Sequence, residues 1–193
     1  MGIAALAIDG PFHGERVTSP LAPSKYQHLI HVEGIEAVTD RMTSDCSGAI
    51  AAVDALGFVD TTQLGYLGLY LGTRFSLPLC VAVGGALRYA VFGKFGLRHA
   101  TGFYDGSDMT ELIRATTRQN TAPTLFHLQW DDELFPREGQ LELFDLLGST
   151  EKQLIAYGGK HGDTSPQATP VWSGFVARRL RPHISPLDPI IDQ

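Results

Sequence analysis

The residues Gly68-Leu69-Tyr70-Leu71-Gly72 have the spacing of a nucleophile elbow, a sharp strand-to-helix turn that lifts its central side chain above a sheet. The central residue of such a turn holds an unfavourable backbone conformation, and the glycines on either side leave room for it. Here the apolar run Leu64 to Leu69 leads in as a strand would, but the central residue is a tyrosine where acyl transfer ordinarily uses serine. A phenol, with an ordinary pKa of about 10, is a far stronger acid than an aliphatic alcohol, so a nearby histidine can act on its proton. Two more clusters carry the residue types this chemistry needs. Trp130-Asp131-Asp132-Glu133-Leu134-Phe135-Pro136 supplies carboxylates, and Gly158-Gly159-Lys160-His161-Gly162-Asp163 supplies an imidazole. Ser76 and Cys80 are poor substitute nucleophiles, the first beyond the elbow and the second expected inside the next strand. Taken singly, each cluster has an ordinary structural explanation: packing for the glycines, helix capping for Asp131 and Asp132, a loop carbonyl for His161. Their order along the chain, each at the end of an expected strand, is what points to a shared site.

The elements that must position these groups alternate. Ile3 to Ile8 reads as a buried strand that runs into a loop from Asp9 to Ser24. Ala49, Ile50, Val53 and Leu56 recur at helical spacing behind Thr43 or Ser44, which predicts a helix over Ser44 to Leu56 closed by Gly57. Beyond the elbow, Pro78 is expected to stop any helix, and Leu79 to Val83 reads as a strand ended by two glycines. Asp108 to Gln119 then reads as a helix, Thr124 to Gln129 as a strand, Arg137 to Leu147 as a helix and Gln153 to Tyr157 as a strand. Val171, Trp172, Phe175, Val176 and Leu180 mark a final amphipathic helix, and the tail from Pro182 is expected to be irregular. This alternation predicts an α/β fold, a mainly parallel sheet of about five strands with helices on both faces. In such a sheet the active groups collect in loops at the carboxyl ends of the strands.

At 193 residues, 44% of them hydrophobic, the chain fits a single domain over residues 1–193. A net charge of -6 without charged blocks argues against nucleic acid or anionic lipid as a partner, and no apolar run is long enough to cross a membrane. The two cysteines, Cys46 and Cys80, read as free core thiols, and Met1-Gly2-Ile3-Ala4 lacks the start of a signal peptide, so the expected location is cytoplasmic. His28 and His31 come nearest to a metal-ligand pair, but such a pair is usually surface, and neither a metal nor a cofactor is expected.

Elbow, acid and histidine in this order resemble the α/β-hydrolase superfamily, and within it the dienelactone hydrolase-like esterases. Asp132-Glu133-Leu134-Phe135-Pro136 is similar to that family's Asp-x-x-Val-Pro acid motif with Phe for Val, and Lys160-His161-Gly162 matches its histidine motif in part. Asp9-Gly10-Pro11-Phe12-His13-Gly14-Glu15 resembles its Asp-x-x-Gly-His-Gly loop, with Phe in place of the first glycine. The resemblance runs from Ile3 to Leu180. It implies a shortened α/β-hydrolase fold in which Tyr70, His161 and Asp132 are catalytic, His161 as general base and acid and Asp132 as its orienting carboxylate. It further implies that the Leu71 N–H serves as one oxyanion donor, with the second to come from Tyr70, Arg74 or His13. Phe12, His13, Arg74, Trp130 and Phe135 form the expected substrate-binding rim, with His13 divided between site lining and loop structure. His127 is expected in the core, and Asp131 in a capping or supporting role.

Two departures bear on function. Tyr70 can be nucleophile, oxyanion donor or plug. Family members also place about three strands before the Asp9 loop, and the sequence starts too late to hold them. The apolar edge so exposed predicts a homodimer. The leading expectation is a hydrolase of small or activated carboxylic esters, lactones included. The alternative is an inactive relative that binds or scaffolds a small molecule, and a third reading has Tyr70 polarising a phosphoester or glycoside bond.

Overall fold

The structure is a computed structural model that describes residues 2–102 and 108–180. Four apolar segments pair in parallel, in the order β1-β2-β3-β4: β1 (Leu64–Leu67), β2 (Leu87–Gly93), β3 (Thr124–Gln129) and β4 (Lys152–Tyr157). The register sets Leu67 opposite Val91, Gly93 opposite His127 and Gln129 opposite Tyr157. The carboxyl ends of β1 to β4 thus form one rim. Among the described residues six α-helices accompany the strands: α1 (Pro23–Glu33), α2 (Ile35–Asp54), α3 (Leu71–Val83), α4 (Thr110–Gln119), α5 (Arg137–Leu146) and α6 (Ala168–Leu180).

Alternation along the central strands divides the core between the two faces. Ala90, Phe92 and Phe126 point to one side, where they meet Ile30 of α1, Val38 of α2, Phe75 and Leu77 of α3, Ile113 of α4 and Leu143 of α5. Tyr89, Val91 and Leu125 point to the other, against Trp172 and Phe175 of α6. Helices therefore cover both faces, as the alternating pattern requires of a parallel sheet.

Three expectations are corrected. Ile3 to Ile8 forms no strand: Ile3 is 63% and Leu6 53% exposed, and no strand lies beside the segment to take its backbone hydrogen bonds. The sheet accordingly has four strands among the described residues, with β1 at an open edge. Leu79 to Val83, expected as a strand, is the second half of α3, which runs through Pro78. Pro78 has no N–H to give, but Phe75, Leu77, Leu79 and Cys80 around it are all buried, and their packing outweighs the lost bond. A helix buried on every side shows no period, which is why its sequence reads like a strand. The strand itself, β2, follows the glycine turn Gly84–Ala86 instead of preceding it.

The helix predicted over Ser44 to Leu56 is the latter part of α2, which starts earlier, at Ile35. Thr43 and Ser44 lie inside it, and Gly34, at φ 91°, breaks the chain between α1 and α2. The later elements β3, α5, β4 and α6 lie where the periodicity puts them. The tail from Pro182 falls outside the described residues.

Candidate active site

Tyr70 sits between β1 and α3 with φ 53° and ψ −111°, a conformation that a bulky residue adopts only under constraint. The constraint is visible. Tyr70 N–H donates to Gly93 O at 3.0 Å, Gly68 N–H to Val91 O at 3.0 Å, and the Thr73 hydroxyl lies 2.9 Å from the carbonyls of both Gly68 and Gly93. Behind the turn, Tyr66 Oη donates to Gly72 O at 2.9 Å, and a Cβ on Gly68 would come within 2.5 Å of that oxygen. The glycine is thus required by the wedge of Tyr66. Leu71 opens α3 just past the carboxyl end of β1, so its N–H has no acceptor within the helix.

The histidine loop follows β4 and is held on all sides. Asp131 Oδ2 accepts from Gly159 N–H at 3.1 Å, Asp163 Oδ2 from Lys160 N–H at 2.8 Å, and Glu133 Oε2 from His161 N–H at 2.8 Å. That last bond holds the Glu133 carboxyl below its ordinary range. Lys94, at φ 50° just past β2, donates through Nζ to Asp163 O at 2.6 Å. So fixed, His161 places Nδ1 2.8 Å from Oδ2 of Asp132, whose side chain is fully buried. The other oxygen of Asp132 accepts from Leu134 N–H at 2.9 Å and Phe135 N–H at 2.8 Å, so the carboxylate orients the ring and closes its own loop. With Nδ1 engaged as donor, Nε2 is the nitrogen left for proton transfer.

Tyr70 meets this pair edge to face. Its ring centroid lies 4.5 Å from that of His161, with the planes at 80°, and Phe135 stands 5.8 Å from both rings. Burial pushes the Tyr70 phenol above its ordinary pKa; Arg74 acts in the opposite sense, and Asp132 adds to the rise. A small cavity of about 30 Å³ opens beside the ring, lined by Gln27, Tyr70, Arg74, Phe95, His99, Gly102 and Phe135. Arg74 is 4% exposed, with Nε donating to Met109 Sδ at 2.9 Å.

The structure therefore gathers Tyr70, Leu71, Arg74, Asp132, Phe135 and His161 at one place. The other expected rim residues stand apart from the cavity. His13 lies with Nδ1 2.7 Å from Pro11 O and its ring edge on Tyr26, Phe12 packs on the same tyrosine, and Trp130 is half exposed under the Arg137 guanidinium at 3.9 Å. His127 lies in the core between Tyr157 and Trp172. Cys80 is buried in α3, its thiol pushed up to about 12 by desolvation, and is no nucleophile. Sequence reasoning missed Lys94, Phe95, His99 and Gly102, all in the segment after β2. Gly93-Lys94 at the end of an apolar run was the available signal, hidden by the misplacement of that strand.

A parallel sheet flanked on both faces, with a strained elbow, an acid and a histidine on its carboxyl rim, is a known architecture. The fold is that of the α/β-hydrolases. No family model matches the chain, and no curated protein matches it. Solved structures do. A cold-adapted esterase from an Arctic intertidal metagenomic library, in its PEG-bound form, is 28% identical with a TM-score of 0.70, over 90% of this chain and 68% of that one. Its zinc-bound form is 26% identical with a TM-score of 0.66, over 81% of this chain and 64% of that one. The monoacylglycerol lipase of Paleococcus ferrophilus shares the fold at 13% identity and a TM-score of 0.55, over 72% and 74% of the two chains. The chain thus spans about two-thirds of the esterase it resembles. No helix among the described residues is long and apolar enough to cross a membrane.

Proposed function

We propose that the chain hydrolyses small or activated carboxylic esters, lactones included, through Tyr70, His161 and Asp132. The observation that carries this reading is the 2.8 Å His161–Asp132 bond on a buried carboxylate, set against a residue strained at the elbow. A site without a base to position has no need of that bond. The esterase neighbours support ester hydrolysis, and the dienelactone hydrolase-like lineage rests on the resemblance of the acid motif Asp132 to Pro136.

In the reaction, Tyr70 Oη attacks the ester carbonyl carbon while its proton passes to His161 Nε2, and the carbonyl π electrons move to oxygen. The Leu71 N–H stabilises that oxyanion. The C–O bond to the alcohol breaks, and the alcohol leaves with the proton from His161. Water then gives a proton to His161 and attacks the acyl carbon, and the Tyr70 phenolate departs and recovers that proton. Burial raises the phenol's pKa and Arg74 works against that rise; by its ordinary value a phenol is a better acid than an aliphatic alcohol, and its anion a better leaving group. An acyl-tyrosine is thus an activated ester that turns over readily.

One observation favours a second reading, in which Tyr70 plugs a binding site: the cavity beside its ring holds about 30 Å³, little more than water needs. Initial rates on a panel of p-nitrophenyl esters separate the two. Turnover by the wild type that falls to background in both Tyr70→Phe and His161→Ala is the expected outcome, with acylated Tyr70 trapped for mass spectrometry. An inert wild type and a Tyr70→Ser variant that gains activity would establish the plug. The same proposal includes a homodimer joined along β1, whose outer side has no partner strand among the described residues and where Leu67 is 50% exposed.

A further inference from the structure

We propose that Arg74 is the electrostatic partner of the Tyr70 phenol, a buried positioning cation that stabilises the negative charge on Oη whenever that oxygen gives up its proton. The inference rests on the reading of Tyr70 as the reacting group and deepens it. Tyr70 precedes the first residue of α3 and Arg74 lies one turn into it, Arg74 N–H donating to Tyr70 O at 2.9 Å, and both residues line the same cavity. Arg74 is fixed there by Met109 Sδ and by its stacking over Phe75 at 5.5 Å. With 4% of its surface exposed, its charge acts through protein and not through water, where it would be screened.

Several other groups face the phenol or its partner. Tyr26 of α1 interacts with the Arg74 side chain and with Tyr70, His99 lines the cavity after β2, Asp132 and His161 come from the rim loops, and Asp108 interacts with Arg74 from the segment before α4. Asp132 disfavours a phenolate, and burial disfavours it more. Arg74 is the cation that works against both. A serine enzyme has no use for such a cation at this position, because serine carries no stable anion. A tyrosine needs it twice, when Oη attacks and when the phenolate leaves the acyl-enzyme. Loss of the cation therefore lowers kcat, with KM for a neutral ester little changed.

The test reads the phenol directly. The protein is labelled with 3-fluorotyrosine, and the six tyrosines are titrated by fluorine NMR, with Tyr70 assigned by the signal lost in Tyr70→Phe. In Arg74→Met the Tyr70 signal is expected to titrate about one pH unit or more higher, a tenfold fall in the ionisation constant. Arg74→Lys, which keeps the charge, is expected to stay near the wild type. Should Arg74→Met not fold, Arg74→Gln is the neutral variant to compare with Arg74→Lys. Equal titration in the neutral and charged variants would overturn the inference. Because the titration needs no turnover, it separates from the hydrolase reading: an unreactive wild type with a shifted phenol overturns the hydrolysis and keeps the Arg74–Tyr70 coupling.

Discussion

The chain before β1 and the chain after β2 are built on different terms. Before β1 the described residues hold a single 3-10 turn, Gly14–Arg16, two α-helices and no strand, and Ile3, Leu6, Val32, Leu56 and Phe58 all stand exposed. After β2, all six positions of β3 are buried, and the loops that follow β3 and β4 are tied by four side chains, Asp131, Asp132, Glu133 and Asp163. The base and its carboxylate both come from this second region. The difference teaches that the site's precision comes from tied loops as much as from strands: β3, which leads to Asp132, has a partner on each side, but β4, which leads to His161, is an edge strand among the described residues. Its loop is fixed instead by the side chains of Asp131, Glu133 and Asp163, and His161 is aimed by them.

The largest expected effect breaks the second region at its chemistry. Asp132→Asn leaves an acceptor for the Leu134 and Phe135 N–H groups but removes the charge that holds His161 in its tautomer. Ester hydrolysis is expected to fall by about 10⁴-fold, as for the corresponding change in a serine triad. Asp9→Asn, in the first region, removes the charge from the carboxylate that accepts Glu15 N–H at 2.8 Å and is expected to change the rate less than about threefold, since a surface change of this kind costs only tenths of a kcal/mol. Steady-state rates on one p-nitrophenyl ester check both.

Next in size is a pair of glycine substitutions. A Cβ on Gly93 would meet His127 O at 2.2 Å, with backbone on both sides unable to yield, so Gly93→Ala is expected to cost about 3 kcal/mol or more. Gly48 lies inside α2 with nothing within 4 Å of its would-be Cβ, so Gly48→Ala is expected to gain about 0.5–1 kcal/mol. Urea unfolding of the two variants gives opposite shifts of the midpoint. Equal and small shifts would mean that the two regions are not so differently packed.

The same contrast decided what could be read from sequence. β3 and β4 are bounded by turn residues, and α5 and α6 carry a clear apolar stripe, so the strand ends that present Asp132 and His161 were legible, and so was the strand that leads to Tyr70. Ile3 to Ile8 failed because an apolar run is only a candidate strand; it needs a neighbour, and sequence does not display neighbours. α3 failed because burial on every side erased its period, and with it went β2 and the loop bearing Lys94 and His99. That Asp132 and His161 stand 2.8 Å apart, and that Phe12, His13 and Trp130 do not reach the cavity, are matters of loop path. Residue types and spacing do not contain it.

A smaller effect concerns His127, buried between Tyr157 and Trp172 with Nε2 3.1 Å from Gln129 Oε1. Burial holds its pKa below the ordinary value, so the unfolded chain binds a proton at higher pH than the folded one does. Its contribution to stability is complete above the unfolded value of about 6.5 and is lost as pH falls through the lower, folded value. Thermal unfolding between pH 7.5 and 5 (about the range of His titration) is expected to show a fall in Tm that is shallower in His127→Gln. An equal slope in the variant would assign the acid sensitivity to other groups.

The smallest expected effect on the fold of one chain tests the open edge at β1, between the two regions. Leu67→Lys places a charge at the outward face of β1, where the leucine is half exposed, so the monomer gives up little buried apolar surface and its Tm is expected to move by no more than a degree or two, a few tenths of a kcal/mol. If two copies meet along this edge, the same lysine buries two like charges near the symmetry axis, and the dimer loses stability well out of proportion to the monomer. Sedimentation at micromolar concentration is therefore expected to show a dimer for the wild type and a monomer for Leu67→Lys. A wild type that sediments as a monomer would remove the dimer, and a dimer that survives the lysine would move the interface away from β1. In either case the open edge would have to be tolerated as it stands, and the short length of β1 would be what makes it tolerable, since an edge of four residues offers a poor template for pairing.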